Sequence, residues 1–267
     1  MRIPIAAVLA VALLSALACG SSDPVVFGNV LDPTSADYVP PSTTIASGPE
    51  EAATVTEADV TFTWRGSDQV NEHRYRLDQA EWSEWGAATS ATFELLDEGD
   101  HVFAVMGRYP TGDAQVQPSS RAFVVDAVTG PALMFSPRKV IAATGDTFSV
   151  DLIAEEVVDL MLAHVTIEYD DGALSLESVT QGDFLAGAGG SVVFLEELTP
   201  GSVLLDTAVA EGDPAGVSGT GVLATLVFRA NASATTAFRF ADGAVFRDPG
   251  NAETPIVETV TGAVVVE

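Results

Sequence analysis

The sequence predicts an all-β protein built as two β-sandwiches in series. Two observations carry that reading. Short runs alternate apolar and polar residues at period two, and clusters of Gly, Asp, Ser and Pro separate them at roughly regular spacing. Past residue 42 no stretch carries apolar residues at helical spacing, apart from a turn at Asp183-Phe184-Leu185.

The chain begins with Met1-Arg2, then an uncharged run from 3 to 18 that ends in small residues. This is the build of a secretory signal peptide, and the run is too short to span a bilayer comfortably. It leads into Ala16-Leu17-Ala18-Cys19-Gly20, which resembles the lipobox of bacterial lipoproteins, although Ala16 stands where the family usually has leucine. The resemblance implies that Cys19 is acylated and becomes the N-terminus. Cys19 is also the single cysteine of 267 residues, so it has no disulfide partner within the chain. Buried acyl chains contribute about 0.8 kcal/mol per methylene, so two or three of them anchor firmly. Gly20 in place of Asp implies, by likeness to Gram-negative lipoproteins, the outer membrane or cell surface. Residues 19–42 then read as a flexible tether, with Gly20-Ser21-Ser22-Asp23-Pro24 and Pro40-Pro41-Ser42 and no periodicity.

From 43 to 127 the alternating runs are Val60-Thr61-Phe62-Thr63-Trp64, Tyr75-Arg76-Leu77, Thr92-Phe93-Glu94-Leu95, His101-Val102-Phe103-Ala104-Val105 and Ala122-Phe123-Val124-Val125. Gly66-Ser67-Asp68, Asp97-Glu98-Gly99-Asp100 and Pro110-Thr111-Gly112-Asp113 turn the chain between them. With Tyr75-Arg76-Leu77-Asp78 and Trp82-Ser83-Glu84-Trp85, the segment resembles the immunoglobulin-like or fibronectin-III-like modules of bacterial surface proteins. One buried Trp is usual in such sandwiches. Trp82 and Trp85 can therefore be packing residues, or a platform for stacking a sugar.

After Thr129-Gly130-Pro131 a second β pattern covers 131–267. Its nine expected strands are 133–135, 147–153, 162–169, 174–179, 191–195, 203–209, 222–228, 237–240 and 259–266. In the third of them Ala163, Val165, Ile167 and Tyr169 share one face, while His164, Thr166 and Glu168 point away. A strand with one wet face belongs to a sheet covered on one side only, as in a sandwich.

Thr144-Gly145-Asp146-Thr147-Phe148-Ser149-Val150, then Ala163-His164-Val165-Thr166-Ile167-Glu168-Tyr169-Asp170, then Leu174-Ser175-Leu176-Glu177-Ser178-Val179, and finally Gly219-Thr220-Gly221-Val222-Leu223-Ala224-Thr225-Leu226-Val227-Phe228 follow one another in a familiar order. The segment resembles a cohesin, the module that receives dockerins in cellulosome-type assemblies. The resemblance implies a nine-stranded jelly roll and a dockerin-like protein partner. It also implies recognition on an open sheet face that includes 162–169, which makes His164, Thr166 and Glu168 the expected contacts. Leu162 and His164 stand where clostridial cohesins carry polar Asn and Asp, so partner specificity is expected to differ. Direct polysaccharide binding, or a structural spacer, is the alternative function. Exposed aromatics in a row would favour sugar; a face with few of them would favour a protein.

Composition and motifs exclude much else. Acidic residues outnumber basic ones 38 to 11, a net charge of −27, which repels phosphate backbones and argues against nucleic acid. Such acidity suits a solvated extracellular surface. Gly219-Thr220-Gly221-Val222-Leu223-Ala224 fits a dinucleotide fingerprint on paper, but a β segment follows it where that chemistry needs a helix. His73, His101 and His164 are isolated, no pair has metal-ligand spacing, and no thiol remains to join them, so no metal site is expected. Asp170-Asp171-Gly172 lacks the remaining oxygens of an EF-hand loop, so calcium is open there without a complete motif. No Gly-x-Ser-x-Gly elbow occurs. The pairs Glu50-Glu51, Glu155-Glu156, Asp170-Asp171 and Glu196-Glu197 read as solvated turn and edge residues. The chain is expected to be a non-catalytic binding protein that needs no cofactor.

Overall fold

The computed structural model describes residues 28–211 and 215–267. The expected signal peptide and Cys19 lie outside the described residues. The chain divides into two units, one up to Pro40 and one from Pro41 to Glu267. In the first, the Asp32 carboxylate accepts from the Thr34 amide at 2.9 Å and from its hydroxyl at 2.7 Å, an aspartate-led turn.

The second unit starts with β1 (Thr43–Ser47), β2 (Ala53–Val55), β3 (Val60–Gly66), β4 (Glu72–Leu77), β5 (Ser90–Phe93), β6 (Gly99–Arg108) and β7 (Ser119–Val125). They form two sheets, in the orders β1-β3-β5 and β2-β7-β6-β4. Alternation decides which residues face the space between them. Val60, Phe62 and Trp64 of β3 turn inward and are buried, as are Phe103 and Val105 of β6 and Phe123 and Val125 of β7. Phe62 and Phe103 stack at 4.1 Å between ring centroids, and the Trp64 indole N–H donates to the Ala88 carbonyl at 3.1 Å. Trp64 is thus buried in the core between these two sheets. β2 has only three residues, too short to show a period, and joins β7 in parallel.

The rest of the unit comprises β8 (Ala132–Ser136), β9 (Lys139–Ala142), β10 (Thr147–Leu160), β11 (Leu162–Glu168), β12 (Leu174–Gln181), a 3-10 turn (Phe184–Ala188), β13 (Ser191–Thr199), β14 (Ser202–Glu211), β15 (Val217–Ala230), β16 (Ala234–Phe240), β17 (Val245–Arg247), β18 (Glu253–Thr254), β19 (Glu258–Thr259) and β20 (Gly262–Val266). One sheet runs β12-β15-β10-β8-β19. The other runs β13-β14-β11-β16-β20-β9, with β17 pairing β11 and β18. All nine expected strands are present; β9, β17, β18 and β19 are additional and have four residues or fewer. The protein is all-β. Phe135, Phe228, Phe238 and Phe246 with Leu152, Val165, Ile167 and Leu205 fill the core of this second pair of sheets. β15 continues straight through Gly219 to Ala224, so no helix follows the glycines that imitate a nucleotide fingerprint.

β10 runs seven residues beyond its expected end because bulges carry it past irregular points. Glu156 and Asp159 take φ of +48° and +52°, and the register against β15 shifts there. Side chains of β15 satisfy the displaced amides. Glu156 N–H donates to Thr220 Oγ1 at 3.1 Å, and Asp159 N–H to Ser218 Oγ at 2.9 Å.

Between β7 and β8 the backbone is pinned by carboxylates from both sides. Glu98 Oε2 accepts from Ala127 N at 2.9 Å, Glu258 Oε2 from Thr129 N at 3.3 Å, and Glu156 Oε2 from Gly130 N at 3.1 Å. Beneath them Val128, Ala132, Met134 and Val260 make a small buried cluster. The buried Arg138 reaches back across the seam. Its amide donates to Asp97 Oδ1 at 2.6 Å and its guanidinium lies 3.6 Å from Glu98 Oε1.

Candidate partner-binding face

β11 follows the alternation in its sequence. Ala163, Val165 and Ile167 are buried, while His164 and Thr166 are half-buried on the outer side and Glu168 is exposed. The register then decides what surrounds those three. On β14, Val203, Leu205, Thr207 and Val209 point inward, leaving Ser202, Leu204, Asp206 and Ala208 on the outer side. β11 pairs antiparallel with β14 so that Leu162 faces Ala208, His164 faces Asp206, Thr166 faces Leu204 and Glu168 faces Ser202. β13 adds Val193 beside Ala208, Leu195 beside Asp206 and Glu197 beside Leu204. On the opposite flank β17 sets Arg247 beside Leu162 and Val245 beside His164, and β16 sets Arg239 beside Glu168.

The outcome is a single sheet face whose middle row reads Val245, His164, Asp206, Leu195. His164 Nδ1 lies 2.7 Å from Asp206 Oδ1, and the two side chains are 40% and 42% exposed. An ionised carboxylate only accepts, so Nδ1 is the donor of that bond and Nε2 is left for another group. Leu162, Ala208, Val193, Leu195, Leu204 and Val245 border the pair. Leu195 is 61% exposed and Val193 43%, values typical of side chains with nothing packed on them. None of the residues in these registered rows is aromatic. The rows hold what a protein partner can cover, without a stacking platform for a sugar ring.

The profile of the cohesin domain family matches residues 134–266, which contain this face. Residues 134–266 form a cohesin domain. This domain is similar to a non-cellulosomal cohesin from the hyperthermophilic archaeon Archaeoglobus fulgidus, at 18% identity over 51% of this chain and 90% of that one, with a TM-score of 0.43. It is also similar to the Coh-OlpA cohesin of a complex with Doc918 from Clostridium thermocellum, at 16% identity over 51% and 98%, TM-score 0.43. The sixth cohesin of Acetivibrio cellulolyticus scaffoldin B, solved with a Cel5 dockerin, matches at 19% identity over 52% and 100%, TM-score 0.44. No curated protein matches the chain.

His164, Thr166 and Glu168 share the outer side of β11 in three successive rows, and the pairing adds residues that sequence reasoning missed. Leu195, Val193, Leu204 and Asp206 belong to the same face through register alone. Their alternation was visible, but nothing in it says which strand lies beside β11.

Trp82 and Trp85 lie outside the cohesin domain and are half-buried among arginines. Arg76 stands 4.7 Å and Arg74 5.0 Å from the Trp82 ring centroid; Arg74 stands 4.7 Å and Arg108 4.6 Å from that of Trp85. Arg74 and Arg76 alternate on β4, and Arg108 of β6 registers with Glu72, two places from Arg74. Alternate residues of a strand are about 6.6–6.8 Å apart, which admits one aromatic ring between neighbouring guanidiniums. Guanidinium groups therefore cover the ring faces that would stack a sugar, each contact contributing about 0.5–2 kcal/mol.

The other histidines are not brought together with His164. His73 is buried beside Trp64 with neither ring nitrogen hydrogen-bonded within the protein. His101 is buried with Nδ1 at 2.8 Å from Asp78 Oδ2 and Nε2 at 2.9 Å from the Asp97 carbonyl. Among the described residues, no group of three or more His, Cys, Asp or Glu is placed to hold a metal ion. Asp170 Oδ1 instead accepts from the Gly172 amide at 3.0 Å, as an aspartate in a tight turn does. Glu155 is buried against Glu98, and the pair reads differently from the solvated edge expected for Glu155-Glu156. Burial, first, and the neighbouring carboxylates of Glu98, Glu156 and Asp126 raise the Glu155 carboxyl above its ordinary range, against the lowering effect of the Thr220 hydroxyl.

Proposed function

We propose that this protein is a non-catalytic receptor of the cell surface whose cohesin domain captures a dockerin-bearing protein on the face of β13, β14, β11 and β17. The observation that carries the reading is the composition of that face. It sets Leu162, Ala208, Leu195, Leu204 and Val245 around the His164–Asp206 pair, with Thr166, Glu197 and Arg247 in the adjoining positions and no aromatic residue in those rows. The relatives reported above include cohesins solved with dockerins, which supports the same class of partner. In this reading Cys19 carries the lipid, 19–42 is the tether, and 43–127 is a sandwich module that displays the 131–267 module away from the membrane. A place in a polysaccharide-degrading assembly follows if the captured protein is a hydrolase.

The test uses the mature chain immobilised against a panel of recombinant dockerin modules, with His164→Arg/Thr166→Arg as the comparison. Both side chains lie on the outer face, so the double variant should melt within a few degrees of wild type. Its binding should fall by about thirtyfold or more, as for a central contact. Undiminished binding in a folded double variant would remove β11 from the recognition surface. The anchor has its own test, because Cys19→Ala should move the protein from the membrane fraction to the soluble one. Normal processing and membrane retention of that variant would refute it.

A further inference from the structure

We infer that the strands of 43–127 and the cohesin domain form one rigid, cooperatively folded body, in which the first pair of sheets is a strut that fixes how the cohesin domain is presented. The inference goes beyond the capture of a dockerin and holds whatever partner the cohesin domain receives.

The junction between the two pairs of sheets carries it. Segments that join domains are ordinarily exposed, and few contacts cross them. Here each backbone N–H from Asp126 to Gly130 has a fixed acceptor. The first half of the junction is held by the first pair of sheets. The Asp126 amide donates to the Val55 carbonyl at 2.8 Å, and the Ala127 and Val128 amides both donate to the Glu98 carboxylate. The second half is held by the cohesin domain, through Thr129 to Glu258 and Gly130 to Glu156. Pro131 has no N–H, and its carbonyl accepts from the Val257 amide at 2.7 Å. Val128 is 2% exposed and clusters with Ala132, Met134 and Val260. A swing at this point would open an apolar cluster and unpair a run of amides together. Gly130 shows how close the fit is. A Cβ there would stand 2.5 Å from the Glu155 carbonyl oxygen, so a larger residue forces the junction off β10.

A second attachment involves β9 and the residue before it. The Arg138 amide donates to Asp97 at 2.6 Å, and its buried guanidinium reaches the Leu96 carbonyl at 3.4 Å. The next residue, Lys139, places Nζ 3.3 Å from Glu94 Oε2. The junction and this contact together resist the rotation that either alone would leave. The strut has a definite length. Thr43, where the first pair of sheets begins, lies against Gly107 near the end of β6, whereas Val125 pairs with Gly99 at its start. The strand between them spans about 27 Å at the antiparallel rise of about 3.4 Å per residue. The chain thus enters at one end and meets the cohesin domain at the other.

The experiment uses the full mature chain. All three tryptophans, Trp64, Trp82 and Trp85, belong to 43–127, so their fluorescence reports the first pair of sheets alone, while far-ultraviolet circular dichroism reports both. Urea unfolding should give one transition with the same midpoint by both probes. Ile167→Ala, at a fully buried position of the cohesin domain, should lower both midpoints equally, by roughly 1 M. Gly130→Ala should lower or split the transition. Gly86→Ala, where an added Cβ meets nothing within 4 Å, is the control and should leave it in place. Nuclear magnetic relaxation of the amides should give one rotational correlation time for both pairs of sheets. A fluorescence midpoint that stays put in Ile167→Ala, a Gly130→Ala protein with the wild-type midpoint, or two correlation times would each overturn the inference. None of these outcomes bears on which protein the cohesin domain captures.

Discussion

Arg138→Met should destabilise the protein by about 3–5 kcal/mol at pH 8, and most of that cost should vanish on acidification. The reasoning starts from Glu98. Its side chain is 15% exposed and its Oε1 lies 3.6 Å from the Arg138 guanidinium, itself 10% exposed. At an effective dielectric constant of about 20, opposite charges at that distance attract by about 4–5 kcal/mol before desolvation is counted. Methionine keeps most of the aliphatic length and the backbone bond to Asp97, so the variant removes the charge and little packing. What remains is a buried carboxylate without its cation. Burial already raises the Glu98 carboxyl above its ordinary range. The Ala127 and Val128 amides and Arg138 act against that rise, and Asp126 adds to it. Without Arg138 the group takes up a proton more readily, so acid relieves the penalty. Urea unfolding at pH 8 and pH 5 measures both numbers. Glu98→Gln in the Arg138→Met background should recover at least half of the loss at pH 8, giving a coupling of about 2 kcal/mol. A loss below about 1 kcal/mol at pH 8, or one that does not shrink at pH 5, would refute the claim that Arg138 neutralises a buried carboxylate.

Neighbouring positions on β11 should behave oppositely: Ile167→Asp, at a fully buried site, should leave the cohesin domain unfolded, because lost burial and an unpaired carboxyl together exceed about 5 kcal/mol. Thr166→Asp, on the outer side, should cost within about 1 kcal/mol, and equal losses by circular dichroism melts would mean that the two faces are exchanged. His73 supplies a pH test. Burial lowers its imidazole from the ordinary 6.5, so the folded state binds fewer protons, and the stability it contributes is complete above 6.5 and lost as pH falls toward the folded value. His73→Leu should therefore gain most near pH 5 and flatten the acid side of the urea midpoint profile; an unchanged profile would dismiss the buried neutral histidine. His101 runs the other way. Burial lowers it, but the Asp97 carbonyl and the Asp78 carboxylate outweigh that and raise it, so its contribution is present below 6.5 and lost as pH rises through the raised value. His101→Gln should remove stability on the acid side, and no acid-side loss would contradict the bonded, charged ring.

Much of this molecule is visible in its residues one strand at a time. Val60-Thr61-Phe62-Thr63-Trp64 states which side chains enter a core, and the structure buries Val60, Phe62 and Trp64. The stretch 162–169 likewise separates His164, Thr166 and Glu168 from Ala163, Val165 and Ile167 without any knowledge of neighbours. The reason is that the side-chain period of a strand is a local property of its backbone. The order of motifs in the second half points to a cohesin for the same reason, since each motif is a strand and the turn that enters it.

The partners of each strand are another matter. That Asp206 meets His164 and that Val245 closes the row depend on pairing with segments 42 and 81 residues away, and Leu195 comes to lie beyond Asp206 through the hairpin of β13 and β14. Register is set by the packing of whole sheets and by turn geometry, neither of which has a signature in a single run. The same holds for Trp82 and Trp85. Their sequence left core packing and a sugar platform open, and the spacing of Arg74, Arg76 and Arg108 across β4 and β6 placed both rings between guanidiniums. It holds again for Arg138, whose buried charge meets Glu98 only because the seam between the two pairs of sheets closes there. Residue order alone determines fold class, inward and outward faces, and the family of the second half. Only the tertiary structure decides which outward residues become neighbours, because hydrogen-bond pairing across a sheet joins chain segments that share no local pattern.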